Sequence, residues 1–82
     1  MITAIVKTLN AGYQMEQDEV QKLGWNVGDR FEVGSISVGG WSSTITLSDG
    51  KGYNSCFFYF EEDGISLDIY SDKRFNNYLK FY

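Results

Sequence analysis

Along this chain apolar side chains recur at every second position over most of its length. In MITAIVKTLN, Ile2, Ala4 and Val6 fall on one side and Thr3, Ile5 and Lys7 on the other, which predicts a first strand over 2–9. The turn chemistry of Asn10-Ala11-Gly12 ends it. From Met15 to Leu23 the period lengthens: Glu16, Gln17, Asp18, Glu19, Gln21 and Lys22 are polar, and Val20 and Leu23 lie three apart. That spacing predicts a short helix, with acidic residues in its first turn favoured by the helix dipole and Gly24 as its stop.

Alternation returns after Gly28-Asp29, with a strand from Arg30 to Val33. It breaks at Gly34-Ser35 and resumes with Ile36 and Val38, which predicts a β-bulge or a sharp bend. In WSSTITL, Trp41, Ser43, Ile45 and Leu47 share one face. Asp49-Gly50 is a hairpin signal, and so is Asp63-Gly64. Between them, YNSCFFYF reads as one long aromatic strand with both faces partly apolar, and ISLDIY as another strand. The tail, SDKRFNNYLKFY, fits a helical turn followed by a short strand.

These elements predict a mostly β protein with one short helix. The expected architecture is a small, five-stranded, strongly bent antiparallel sheet, or an SH3-like or OB-like partly open barrel, because closure removes edges and a bulge supplies the bend. The expected core is Phe31, Phe57 or Phe58, Phe60, Ile36, Ile45, Leu47, Leu67 and Ile69. At 82 residues the chain is expected to be a single domain over 1–82, since half of it could not bury a useful core.

Composition sharpens this picture in three ways. Aromatic residues make up 17% of the chain, too many for so small a body to internalise, so some rings are expected at the surface. The net charge of −4 disfavours a phosphate backbone and suits contact with a basic protein surface. The one cysteine, Cys56, fits a reducing compartment and is expected to be a packed core thiol. With no apolar run long enough for a signal peptide or a membrane helix, the expectation is a cytoplasmic protein of a bacterial host, with no membrane partner.

The sequence offers little chemistry. There is no histidine, hence neither the commonest general base nor the commonest zinc ligand, and no cofactor, metal site or catalytic residue is expected. Cys56 has no histidine to activate it. Glu61-Glu62-Asp63 lacks the alternating oxygen pattern of a calcium loop and reads as a solvated hairpin end. The pairs Asp49 with Asp68 and Glu32 with Glu61 would act as acid and base only if the fold joined them. Gly39-Gly40 and Gly50-Lys51-Gly52 match no phosphate-binding fingerprint and suit turns instead. Trp41, Tyr53, Phe57, Tyr59 and Tyr70 could stack bases on a β-surface, but seven Lys and Arg against eleven Asp and Glu leave that mode without a basic groove.

The stretches GWNVGDRFEV, WSSTITLSDGKGYNSCFFYF and DGISLDIYSDKRFNNYL together resemble short proteins encoded in phages and prophages of Gram-positive bacteria, over about residues 23–79. The resemblance carries no catalytic motif. It implies a modulator of host machinery, such as an inhibitor of restriction or CRISPR nucleases. The function expected is therefore a non-enzymatic protein-binding module, a phage accessory factor acting on a host or phage protein. Single-stranded nucleic-acid binding and structural homo-oligomerisation, including a homodimer, are the alternatives. The expected contacts are Trp41 and Tyr53 as aromatic anchors and Glu61, Glu62 and Asp63 as a charged patch. Tyr78, Lys80, Phe81 and Tyr82 form a second patch or a dimer seam.

Overall fold

A computed structural model describes residues 1–38 and 43–68. Six strands, β1 (Thr3–Val6), β2 (Arg30–Val38), β3 (Ser43–Leu47), β4 (Gly52–Asn54), β5 (Phe58–Glu62) and β6 (Ile65–Leu67), form one open sheet in the order β4-β3-β2-β1-β5-β6. All five pairings are antiparallel. The mostly β fold with one helix is the one expected, and of the two architectures foreseen, a bent antiparallel sheet or a partly open barrel, it takes the open sheet, with six strands among the described residues in place of five.

The sixth strand arises inside YNSCFFYF. The Asn54 side chain accepts the Cys56 N–H at 2.9 Å and caps a 3-10 turn over Ser55–Phe57. That turn sends the chain from β4, at one edge of the sheet, across to β5 on the far side of β1. A local side-chain to backbone bond thus replaces ladder pairing in the middle of the aromatic run.

Strand β2 joins the two halves of the sheet. Its first residues pair with β1 (Ala4 opposite Phe31) and its later ones with β3 (Ile36 opposite Ile45). The register shifts between Val33 and Ser35, as the Gly34-Ser35 interruption predicts. Val33 and Ile36, three apart, are both buried, which strict alternation forbids and one extra residue permits. Gly34 is required there: a Cβ on it would stand 3.1 Å from the Thr46 carbonyl oxygen and 3.2 Å from that of Leu47.

The two Asp-Gly turns differ. At Asp63-Gly64 both φ angles are positive, 53° and 78°, and Glu62 pairs with Ile65, the geometry of a two-residue type I′ hairpin. At Asp49-Gly50 only Gly50 is positive, at 86°. There the Gly50 N–H donates to the Leu47 carbonyl at 2.9 Å and the Leu47 N–H to that of Lys51 at 3.0 Å, a type I turn closed by a glycine bulge.

The buried face collects Ile2 just before β1, Ala4 and Val6 from β1, Phe58 and Phe60 from β5, and Ile36, Ile45 and Tyr53 from β2 to β4. Trp25, half buried, bridges the two halves, with ring centroids 4.9 Å from Phe31, 4.7 Å from Tyr53 and 5.6 Å from Phe58. Its place follows from the connection after the helix, where the Gly28 N–H donates to the Val6 carbonyl at 2.8 Å and ties that loop to β1. Phe31 is half buried beside Trp25, and Ile69 lies outside the described residues.

Helix α1 (Gln14–Lys22) begins where the Glu16 carboxylate accepts the Tyr13 N–H at 3.3 Å. It ends before Gly24, whose φ of 74° is the left-handed conformation of a helix stop. Val20 is its one fully buried side chain, so the helix lies against the sheet through a narrow contact.

Candidate functional site

That narrow contact leaves a cleft of about 290 Å³ between α1 and the β3–β4 edge. Val20 and Phe57, both buried, make its apolar floor, and Thr44, Gly52, Tyr53 and Asn54 its sheet-side wall. Glu16 and Glu19 line the helix side, and among the described residues no lysine or arginine lines the cleft. Gly12 closes one end: with φ of 69° it lets the chain approach so closely that a Cβ there would stand 3.1 Å from both the Asn54 amide nitrogen and a Glu16 carboxylate oxygen.

Tyr53 reports the electrostatics of this place. Burial pushes its phenol above the ordinary tyrosine value, and the nearby Asp49 and Glu19 carboxylates push the same way, Asp49 also hydrogen bonding the hydroxyl. Two carboxylates, Glu16 and Glu19, therefore line the cleft, and a third, Asp49, acts on Tyr53 from beside it.

The raised Tyr53 value has a consequence for stability. In the unfolded chain the phenol ionises first, so its contribution is fully present below the ordinary tyrosine value of 10.0 and is lost as pH rises through the higher folded value. The urea midpoint of the wild type is expected to fall between pH 9.5 and 11, on the order of the phenol's titration range, and that of Tyr53→Phe to fall less. Parallel slopes for the two proteins would contradict the coupling.

The residues expected from sequence to make contacts are dispersed. Tyr53, expected as an exposed anchor, is only 7% exposed and turns its ring into the core against Trp25, because Ile45 opposite it sets the inward face of β4. Glu61 pairs with Arg30, and Glu62 with the N-terminal amine at 3.3 Å. As neighbours on one strand these two carboxylates point to opposite faces of the sheet, and Asp63 occupies the turn itself. Trp41, Tyr78, Lys80, Phe81 and Tyr82 lie outside the described residues.

Other expectations resolve in the same way. Of the rings considered for base stacking, Tyr53 and Phe57 are buried, Tyr59 is 59% exposed, and Trp41 and Tyr70 lie outside the described residues. The Lys7 amine sits over the Tyr59 ring, 5.3 Å from its centroid. Cys56, expected in the core, is exposed, because the 3-10 turn gives the inward position to Phe57 instead. Glu32 and Glu61 both flank Thr3, two strand spacings or about 10 Å apart, so they are not neighbours. No group of three or more potential metal ligands occurs among the described residues, and none of their helices is long and apolar enough to cross a membrane.

Sequence reasoning passed over Glu16, Glu19 and Asn54 as a site. Glu16 and Glu19 stand three apart on a helix and so share a side of it with Val20, a signal that was present. What they face is set by the fold alone.

The family model described as Bacteriophage T4 protein Y07B matches residues 1–81. The chain belongs to this phage protein family. No curated protein and no solved structure matches it. The match extends across α1 and every described strand, so the acidic cleft and the aromatic core both lie within the family's span.

Proposed function

We propose that this phage protein is a non-enzymatic binding module that works in the cytoplasm of a bacterial host by occupying a basic surface of another protein. A host-defence or CRISPR nuclease is the target class that best suits an acidic phage factor. The observation that carries this reading is the mixed character of α1. Tyr13 and Met15, at its start, are 80% and 84% exposed, and the same helix offers Glu16 and Glu19 beside them. Exposed aromatic and thioether groups next to charges are the composition of protein interfaces. The inward placement of Tyr53 and Phe57 weighs against oligonucleotide stacking. Trp41, in the segment joining β2 and β3, remains part of the proposed anchor set.

The test is a pull-down with tagged protein from host lysate, with nuclease-treated duplicates and two variants, Tyr13→Ala/Met15→Ala and Trp41→Ala. The expected result is a stoichiometric protein partner that survives nuclease and is lost with the double variant while circular dichroism stays unchanged. Capture of nucleic acid alone, or a partner indifferent to both variants, would overturn the reading.

A further inference from the structure

Two Asp-Gly dipeptides occur in the chain, and the fold holds them differently. Aspartate before glycine is where a main chain most readily rearranges by itself, because glycine has no Cβ to shield its nitrogen. At Asp49-Gly50 both reacting groups are engaged. The Gly50 N–H donates to the Leu47 carbonyl at 2.9 Å, and the Asp49 carboxylate accepts the Lys51 N–H at 2.8 Å and the Tyr53 hydroxyl. At Asp63-Gly64 neither the carboxylate nor the Gly64 N–H makes a hydrogen bond among the described residues, and both residues are exposed. Asp63 is also the one residue other than glycine at positive φ among them, at 53°. A residue with a Cβ adopts that conformation at a cost, which opening of the turn relieves. The strand beyond the turn gives little resistance. β6 is three residues long and outermost in the described sheet, with Ile65 and Ser66 exposed and Leu67 alone buried, so it opens locally at small cost.

We propose that Asp63-Gly64 is a site of spontaneous isoaspartate formation, and that the rearrangement unpins β6 from the sheet. When the turn opens, the Gly64 nitrogen bonds to the side-chain carbonyl carbon of protonated Asp63. The nitrogen gives up its proton and the carboxyl its hydroxyl, which leave as water, and a five-membered succinimide closes. Water then adds to either ring carbonyl. Attack at the original main-chain carbonyl breaks its bond to the Gly64 nitrogen and leaves isoaspartate, whose main chain runs through the side-chain methylene. Attack at the other carbonyl restores aspartate. The isoaspartate lengthens the turn by one main-chain carbon, which the two-residue geometry pairing Glu62 with Ile65 does not accommodate. The pairs Glu61 with Ser66 and Phe60 with Leu67 therefore lose their register. The loss stops at β5, which stays paired with β1 on its other side.

The test ages the full-length protein at neutral pH and physiological temperature and follows isoaspartate at both dipeptides by digestion and electron-transfer mass spectrometry. Isoaspartate is expected at position 63 at least about fivefold faster than at position 49, the factor that one ordinary hydrogen bond supplies. In guanidinium chloride the two rates should converge, because the difference lies in the fold and not in the dipeptide. Asp63→Asn and Asp49→Asn give a second readout through the same ring, since each loses ammonia and gains a charge. Asparagine suits the positive φ of the turn, so Asp63→Asn keeps the hairpin. It should deamidate faster than Asp49→Asn by the same factor in the folded protein. In NMR spectra of the aged wild type, new amide signals are expected for Ile65, Ser66 and Leu67, with those of Ala4 and Ile45 in place. Equal rates at the two sites in the folded protein, faster reaction at position 49, or a gap that persists in guanidinium chloride would each overturn the assignment. Unchanged β6 signals in the rearranged protein would sink the unpinning of β6.

Discussion

Phe57→Ala is expected to cost about 3–5 kcal/mol of unfolding free energy, the usual range for removing a buried phenylalanine ring. Phe57 is 1% exposed and heads the fully buried side chains by volume. It sits in the 3-10 turn that carries the chain from β4 to β5, with its ring edge-on to Phe58 at 6.4 Å and its surface forming the floor of the cleft. A cavity there would loosen both halves of the sheet, because that turn is where they are tied. A domain of this length typically has about 4–12 kcal/mol in total. The variant is therefore expected to be largely unfolded at 37 °C, and urea titration followed by circular dichroism and Trp fluorescence would show it. Tyr59→Ala, two residues on and 59% exposed, is the internal control and should change stability by no more than about 0.5 kcal/mol. A loss below about 1 kcal/mol for Phe57→Ala would mean that the ring is not packed as described.

Gly34→Val is expected to cost about 1–3 kcal/mol through overpacking at the bulge. The atoms that a Cβ would meet, the Thr46 and Leu47 carbonyl oxygens at 3.1 and 3.2 Å, belong to the β3 backbone and cannot rotate away. Relief requires β2 and β3 to separate where the sheet changes register. Hydrogen exchange should accordingly rise at Ile36 and Ile45 more than at Ala4 and Phe60, which lie on the other side of β2. Gly52→Ala supplies the contrast, since its Cβ would meet the Thr44 methyl at 3.0 Å, the end of a side chain. A uniform rise in exchange, or no loss of stability, would show that the bulge tolerates a side chain and is not the joint between the half-sheets.

These two positions bear on the candidate site as well as on the fold. The cleft exists because α1 touches the sheet through Val20 while the 3-10 turn lifts Phe57 beneath it. A change that lets β4 drift would widen the cleft before the rest of the sheet gave way.

The sequence by itself determined what depends on near neighbours. Alternation in ITAIV grouped Ile2, Ala4 and Val6 on one side, which the fold buries, and alternation in STITL placed Ile45 and Leu47 in the core, since period-two spacing turns one side of a strand inward. The lengthened period and Gly24 marked α1 to within a residue at each end, and Gly34 marked the bulge. Both Asp-Gly pairs made hairpins. The tertiary structure alone decided matters of long-range partnership. Whether YNSCFFYF ran on or broke depended on a cap from Asn54 and on β5 finding β1 some fifty residues earlier in the chain, about which local periodicity carries no information. That break put Phe57 inside and Cys56 outside. Tyr53 and Trp25 went inward because together they fill the gap between two half-sheets, an arrangement no single segment encodes. The acidic turn dissolved into two ion pairs on opposite faces, since Arg30 and the N-terminus arrive there only through the register of β1, β2 and β5. The cleft between α1 and β4 joins residues some forty positions apart, and their convergence is a property of the folded surface rather than of any stretch of the chain.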